Sequence, residues 1–506
     1  MNRRIGVVLS YVLIIFEVLS TLLLTPFIIR TLGQAEYGVY KLVVAINAYL
    51  LLLDLGVGNA IIRYIAKYKV EKNRDKERQF LAVSTVFYLV IAVIAIIIGC
   101  FLIFAFPTVF AKGLSGEEVK LGQTLLGITM LNSAVTLGTT VYNNILIAYE
   151  KFAVSRIVSI VQIIFRMFLT YVVLLAGWGS IGVVVVNLCM TILFRGYFML
   201  YVLCVIKLRP LFKEINLTFV KDIVAYSSLI FLQMIATQLN STVDQILIGS
   251  LVNASATILA VYGIGTQIVQ YFQSIGSAYT GVLMPGVVKL VEKKANICEI
   301  SDEMIRIGRI IFMLLSLIWV VFLVNGKEFI VLWAGRDNSE AYIVTSLLMF
   351  AYIFILTESI GTQILWAMNQ HKEQAILKIV IVLLNIVLTA LLIGWNPLIG
   401  ATIGSFISLI LGDVVVMNII FKKKLKISLK YYYQGIFKGI VPCLCIALVA
   451  GILSYQFIPM GWIWFLIKVL IMVLVYGIAM VSFGMTKYEK NLFISMLKRI
   501  RYVGGK

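Results

Sequence analysis

Residues 80–106 read FLAVSTVFYLVIAVIAIIIGCFLIFAF, an apolar run without a charged residue. A helix needs about 20 mostly apolar residues to cross the hydrocarbon core of a bilayer, so this run predicts a membrane span. Such runs recur from end to end of the chain, and 61% of its 506 residues are hydrophobic against 13% charged. The sequence therefore predicts an all-α polytopic membrane protein rather than a string of soluble domains.

Fourteen segments have this length and character. Short turns with Gly or Pro, at 177–180, 394–397 and 459–461, separate the closest pairs. The first segment is expected to be retained rather than cleaved as a signal peptide, because it lacks a small-residue cleavage site. The predicted spans are 5–30, 38–62, 80–106, 124–148, 154–176, 181–206, 220–250, 257–288, 307–324, 341–368, 376–393, 398–421, 435–457 and 462–484.

The basic residues orient these spans. When the N-terminus is placed in the cytoplasm, 34 of the 43 Lys and Arg residues fall in loops or tails on that side, and 4 fall on the other. Cytoplasmic loops of membrane proteins are enriched in Lys and Arg, so both chain ends are predicted to be cytoplasmic. This topology explains the net charge of +20 and makes nucleic-acid binding an unnecessary interpretation.

The histidine and cysteine content of the sequence does not indicate a His-based metal site or a disulfide bond. His371 is the single histidine, which is too few for a His-based metal site. The six cysteines form no CxxC motif, and five of them lie in apolar spans, so we interpret all six as reduced.

Polar residues recur at helical spacing inside seven of the spans. Residues three or four positions apart share a face of a helix, so each set predicts one polar stripe. The clearest stripes are Ser155, Ser159, Gln162, Arg166 and Thr170 in the fifth span; Asn187, Thr191 and Arg195 in the sixth; Gln233, Thr237, Asn240 and Asp244 in the seventh; Gln267, Gln270, Ser274 and Ser277 in the eighth; and Ser10, Glu17, Thr21 and Thr25 in the first.

Polar residues can simply hold membrane helices together, and that interpretation suits a single Ser or Asn per helix. A charge at the bilayer centre costs about 2.5–3.5 kcal/mol, however, and usually faces a cavity or a partner. We therefore predict a hydrated central cavity between a six-helix lobe at 1–206 and a second at 220–421, related by a pseudo-twofold axis. Residues 435–484 would form an extra, peripheral helix pair, followed by a basic cytoplasmic tail at 485–506.

Arginines in such a cavity suit an anionic cargo, because guanidinium is always charged and binds phosphate or carboxylate bidentately. Alternatively, the arginines pair with the acidic residues of the spans, and those acids could instead carry H⁺ or Na⁺. The predicted cargo-binding residues are Arg166, Arg195, Arg30, Arg63, Gln162, Asn240, Gln267 and Gln270, and the predicted ion-coupling residues are Asp244, Glu17 and Asp54.

Three stretches carry a family resemblance. Residues 25–42 read TPFIIRTLGQAEYGVYKL, residues 51–68 read LLLDLGVGNAIIRYIAKY, and residues 241–270 read STVDQILIGSLVNASATILAVYGIGTQIVQ. They resemble the bacterial polysaccharide (O-antigen type) flippases of the multidrug/oligosaccharidyl-lipid/polysaccharide exporter superfamily.

The resemblance implies an alternating-access transporter, not an enzyme, that moves an undecaprenyl-pyrophosphate-linked oligosaccharide between leaflets of the cytoplasmic membrane. It implies no cofactor beyond a coupling ion. The expected partners are the lipid-linked oligosaccharide, membrane lipids, and polymerase and glycosyltransferase machinery, with the chain itself a monomer. A lipid II flippase and an ion-coupled multidrug antiporter remain open as alternatives. A polymerase or glycosyltransferase is disfavoured because no long outer loop or DxD-like motif is present.

Overall fold

The computed structural model describes residues 3–212, 234–235, 237–240, 242–292, 296–368, 370 and 372–491. Every regular element in these ranges is helical, which confirms the all-α membrane fold. Ten helices are long and apolar enough to span a membrane, or eleven when one bent pair counts as a span. Gln233, His371 and much of the seventh predicted span lie outside the described residues, so the count of fourteen stays a prediction.

The first of two compact units comprises Met1–Gly263 and Thr389–Ala401. Its interior lies where α2, α3 and α4 meet, with Ile61, Phe80 and Ile145 fully buried. Its helices are α1 (Arg3–Leu51), α2 (Val57–Val70), α3 (Arg74–Phe110), α4 (Gly116–Ala148), α5 (Phe152–Leu175), α6 (Gly179–Leu200), α7 (242–251) and the start of α8 (Ala256–Glu292).

The first two predicted spans correspond to two helical segments of α1 that meet at a kink at Gly33, where φ is 75°. The end of the second span needs correction. The second span does not reach residue 62, because α1 ends at Leu51 and a tight turn follows. Leu55 and Gly56 adopt positive φ in that turn, a left-handed conformation that a continuous helix cannot contain. Asp54 therefore ends a single 3-10 turn, Leu52–Asp54, between α1 and α2 rather than lying inside an α-helical span.

The second unit comprises Ile264–Leu388 and Thr402–Lys506. The tenth predicted span is broken here, since α10 and α11 meet at Glu358 with a bend of 41°. The helices are α9 (Ile297–Ala334), α10 (Ala341–Thr357), α11 (Ser359–Ala367), α12 (Lys372–Leu392), α13 (Pro397–Leu409), α14 (Met417–Lys424), α15 (Leu429–Phe437), α16 (Ile440–Phe457) and α17 (Trp462–Ala479).

Three helices end in a π-helical turn. Tyr201–Val205 extends α6, Ile410–Val416 joins α13 to α14, and Met480–Gly484 extends α17. A π turn contains one residue more than a regular helical turn at that point.

An ion pair joins the last two helices to the rest of the second unit. α16 and α17 pack on each other and on α9. The Lys468 ammonium of α17 lies 2.7 Å from the Glu328 carboxylate of α9, and both side chains are almost fully buried. Glu328 also accepts a hydrogen bond from the backbone of Gly461, at the start of α17. The pair α16–α17 is thus anchored by charge as well as by apolar packing.

We expect Lys468→Met to destabilise the protein by about 3–5 kcal/mol, because it leaves the Glu328 carboxylate buried without a partner. Thermal unfolding of the detergent-solubilised protein measures the loss. The double variant Lys468→Met/Glu328→Leu should recover most of it. Lys67→Met is the matched control, because its pair with Glu71 is exposed. Equal stability of the single variant and the wild type would contradict this role.

Arg309 joins α9 to α15 and to the C-terminal segment. Its guanidinium lies 2.7 Å from the Glu489 carboxylate, and both side chains are buried. It also donates to the carbonyl oxygens of Gly435, Lys438 and Gly484, which lie near the ends of α15 and of the last π turn. One cation therefore satisfies carbonyls that the helices leave without partners.

Stability of this junction should depend on pH. Burial alone would raise the pKa of the Glu489 carboxyl. Hydrogen bonds from Arg309 and Thr486, together with the positive charge of Arg309, outweigh burial and lower this pKa. A lowered pKa stabilises the folded state above the carboxyl's unfolded pKa, and this stabilisation is lost as pH falls through the folded pKa.

Thermal unfolding in an acidic pH series checks this expectation. Glu489→Gln should unfold at a lower temperature than the wild type near neutral pH, and the difference should shrink as the pH falls. A difference that stays constant across the series would show that the Glu489 charge does not stabilise the junction.

Candidate functional site

A polar pocket of about 180 Å³ lies between α1, α5 and α6 in the first unit. It contains the Arg166 side chain, and its walls combine three of the predicted polar stripes. The polar lining residues are Ser20, Thr21, Thr25, Tyr40, Arg166, Thr170 and Asn187. The polar faces predicted for the first, fifth and sixth spans thus meet in this pocket.

The α1 hydroxyls in this pocket are oriented by their own helix. Thr21 Oγ1 donates to the carbonyl oxygen of Glu17 at 2.8 Å, and Thr25 Oγ1 donates to that of Thr21 at 2.7 Å. A hydroxyl that donates in this way keeps its oxygen as an acceptor. Arg166 supplies a positive charge and N–H donors on the opposite wall.

Arg166 has no acidic partner among the described residues, since no carboxylate there lies within 4 Å of its guanidinium. Its charge acts on the Tyr40 hydroxyl of α1. Within the described ranges, the guanidinium is thus able to bind an anionic group that enters the pocket.

A second polar centre lies at the turn after α1. The Tyr88 hydroxyl of α3 donates to Asp54 Oδ1 at 2.6 Å, and the Arg195 charge interacts with both residues. Arg195 Nη1 is buried without a hydrogen-bond partner. Eight residues separate Arg195 from Asn187 on α6, about 12 Å along the helix. Arg195 is thus in a centre distinct from the Arg166 pocket.

A third centre surrounds Asp244 of α7. The Tyr262 hydroxyl donates to one carboxylate oxygen at 2.6 Å, and the Thr389 hydroxyl donates to the other at 2.9 Å. The Asp244 side chain is buried. Two hydroxyl donors stabilise a carboxylate here without themselves carrying charge.

The other predicted residues are not gathered at these centres. Gln162 and Asn240 are half-buried, and Asn240 Oδ1 has no hydrogen-bond partner. Gln267 belongs to the second unit, is buried, and donates to the Tyr271 hydroxyl at 2.6 Å. The remaining four are exposed side chains: Glu17, Arg30, Arg63 and Gln270.

Three residues outside the predicted set contribute. The Glu36 carboxylate of α1 accepts from the backbone N–H of Ser180 at 2.6 Å, at the N-terminus of α6, where negative charge is favourable. Tyr88 donates a hydrogen bond to the half-buried Asp54, and Tyr262 donates one to the buried Asp244. Tyr40 lies in the stretch YGVY and Tyr262 in VYGIG, both of which carry the family resemblance. The sequence motifs alone did not predict that these hydroxyls line a pocket or bind an aspartate.

Structural comparison places this helical arrangement among membrane transporters. A structure described as lipid II flippase MurJ in an inward closed conformation has a TM-score of 0.74 and 16% identity, covering 96% of this chain and 99% of that one. The inward-facing structure of a multidrug resistance transporter of the MATE family and MOP superfamily has a TM-score of 0.63 and 16% identity, covering 80% and 95%. At these identities the likeness shows the fold alone.

The chain is therefore a multi-pass membrane protein with the fold of these transporters. Residues 6–291, more than half of its length, match the family described as "Polysaccharide biosynthesis protein", and the chain belongs to that family. No curated protein matches the sequence.

Water access to the Arg166 pocket can be measured with thiol reagents. In a variant lacking the six native cysteines, we expect Asn187→Cys to react with charged methanethiosulfonates. Phe168→Cys, at an exposed apolar position on α5 outside the pocket, is the control, and we expect it not to react. An anionic reagent should react with Asn187→Cys about tenfold faster than a cationic one, because the guanidinium attracts it.

Arg166→Ala should remove that preference for the anionic reagent. An unreactive cysteine at position 187, or a preference unchanged without Arg166, would show that the pocket is dry or that its charge is not felt there.

Proposed function

We propose that the protein is an alternating-access flippase for an undecaprenyl-pyrophosphate-linked oligosaccharide, moving it from the inner to the outer leaflet of a bacterial cytoplasmic membrane. The observation that carries the proposal is the Arg166 pocket, a positive charge among hydroxyl and amide groups between α1, α5 and α6. Membership of the polysaccharide biosynthesis family supports the same substrate class.

The energetic problem of such a cargo explains the polar walls. Burying one hydroxyl without a partner costs roughly 0.5–2 kcal/mol, so a head group with about ten hydroxyls faces a barrier of order 10 kcal/mol. Hydroxyl acceptors and amides along the path replace the water that the sugar loses. Guanidinium is suited to the pyrophosphate because its planar N–H groups bind phosphate oxygens bidentately.

The lipid tail needs an apolar surface close to the head-group site. A groove of about 370 Å³ on α5 and α6 is lined almost entirely by apolar side chains, including Val161, Phe165 and Leu193. Phe165 and Arg166 are neighbours on α5, so the apolar groove and the polar pocket use the same pair of helices. A lipid-linked head group could occupy the pocket while its tail stays in the bilayer.

A lipid II flippase is the second candidate. It also carries a pyrophosphate-linked head on a polyprenyl tail, and the structural likeness to the MurJ flippase extends over 96% of this chain. A multidrug antiporter is less favoured, because the corresponding likeness covers 80% and a cationic pocket does not suit a cationic drug. No step of this proposal requires an enzyme activity.

Ion coupling belongs to the same proposal. An ion moving down the membrane potential supplies about 2.3 kcal/mol per charge per 100 mV. The candidates for carrying H⁺ or Na⁺ are the buried Asp244 and the half-buried Asp54, each of which accepts a hydrogen bond from a tyrosine hydroxyl, and the exposed Glu17. We further propose a monomer with both ends in the cytoplasm, working beside polymerase and glycosyltransferase machinery.

Lipids extracted from a deletion strain provide the test. We expect an undecaprenyl-pyrophosphate oligosaccharide to accumulate, with surface glycan lost, and mass spectrometry to identify the cargo. Accumulated lipid II would favour the second candidate. Unchanged lipid pools with altered drug tolerance would contradict the flippase proposal.

Complementation of the same strain tests the arginines. Arg166→Ala and Arg195→Ala should each lower transport about tenfold or more, since a hydrogen bond to a charged group contributes about 1.5–3 kcal/mol. Membrane insertion should be unaffected. Lys423→Ala, which removes an exposed cation in the last turn of α14, is the matched control. Normal surface glycan with the double arginine variant would remove both residues from the mechanism.

A further inference from the structure

Glu358 occupies the break between α10 and α11, where the helix axis bends by 41°. Its side chain is only 2% exposed. Because the break lies inside a membrane-spanning segment, an ionised carboxylate here lacks the hydration that would offset its charge. The predicted cargo and ion-coupling residues do not include Glu358.

Two donors bind one oxygen of this carboxyl group. Asn418 Nδ2 of α14 donates to Glu358 Oε1 at 2.9 Å, and the Tyr433 hydroxyl of α15 donates to the same atom. The other oxygen, Oε2, is buried without a hydrogen-bond partner, and so is Asn418 Oδ1. Two buried acceptors in hydrogen-bonded side chains therefore each lack a donor.

The charges on the surrounding elements do not supply that donor. Asp413 of the π turn lies 2.6 Å from Lys378 of α12, and that pair neutralises itself. Arg309 of α9 is directed at Glu489 and at carbonyl oxygens of α15. α15 adds Tyr432, whose hydroxyl donates to the carbonyl oxygen of Thr357. Within the described ranges, no Lys or Arg lies within 4 Å of Glu358.

Other buried carboxylates of the second unit are treated differently. Glu328, Asp413 and Glu489 each have a cation within 2.7 Å. Glu358 is as buried as they are, yet its partners are an amide and a phenol. The second unit thus contains buried carboxylates that are paired with a cation and one, Glu358, that is bound by uncharged donors.

We propose that Glu358 is a proton-binding site, and that its neutral carboxyl is the form that joins the α10–α11 break to α14 and α15. The proton comes from water and resides on Oε2, where it provides the donor that the site lacks. A sodium ion fits less well. Hard metal ions bind about six or more oxygens, whereas the side chains here offer two without a hydrogen-bond donor, Glu358 Oε2 and Asn418 Oδ1.

The site concerns proton binding alone and does not depend on the cargo. Dicyclohexylcarbodiimide, which modifies protonated carboxyls in apolar surroundings, is the probe for the full-length protein in its membrane. Peptide mass spectrometry should find Glu358 labelled near neutral pH. Above the midpoint, labelling should fall about tenfold per pH unit. Glu328, equally buried but paired with Lys468, is the internal control and should stay unlabelled.

A variant and a second measurement complete the test. The infrared carbonyl band of a protonated carboxyl should be present in the wild type and in Glu328→Gln, and should disappear in Glu358→Gln. In Tyr433→Phe, labelling should persist to higher pH, because a donor that favours the carboxylate is gone.

Three results would overturn the proposal. One is an infrared spectrum without a band that depends on Glu358. Another is labelling of Glu358 and Glu328 to the same extent. The third is protection of Glu358 by Na⁺ at constant pH, which would assign the site to sodium. Each result stands apart from the lipid analysis, so failure here leaves the flippase proposal intact.

Discussion

A charged side chain that leaves water for hydrocarbon must find a substitute for its hydration, and this constraint shapes the interior of both units. The substitutes differ from place to place. Lys468 and Glu328 neutralise each other between α17 and α9, whereas Asp54 and Asp244 accept hydrogen bonds from tyrosine hydroxyls of α3 and α8. Arg166 instead faces a pocket of hydroxyl and amide groups. Apolar packing sets which helices meet, and these polar contacts set how they are aligned.

Most of the helices could be predicted from the sequence because the signal is local. An apolar run such as 80–106 has the length of a span wherever it lies in the chain, and the 3.6-residue period places Arg166 and Thr170 on one face. The gap predicted between residues 30 and 38 contains the interruption at Gly33, whereas the bend at Glu358 inside the predicted span 341–368 was missed. A helix can continue through a glutamate or break there, and the choice depends on neighbouring helices that no local pattern specifies.

Partners across the fold were the least predictable part of the site. Lys468 and Glu328 are 140 residues apart, and periodicity contains no information about contacts at that separation. Tyr88 and Tyr262 were missed for another reason, since tyrosine counts among the apolar residues in a search for spans, although its hydroxyl is a good donor. The place of Arg195 on a polar stripe was predicted from helical spacing. Whether Arg195 binds cargo or pairs with an acidic residue stayed open, and the sequence did not single out its neighbour Asp54.

The π turns after α6 and α13 affect how the two halves of the sequence can be compared. One extra residue rotates every later side chain by about 100° around the helix axis. Asn187, Thr191 and Arg195 all precede the turn in α6, so they keep a common face. Asn418 follows the turn after α13, and a helical wheel drawn from α13 onward would assign it to the wrong side. An alignment of the two halves that ignores these insertions would therefore match residues whose side chains differ by about 100° in direction, and it would hide whatever ancestral duplication the sequence still records.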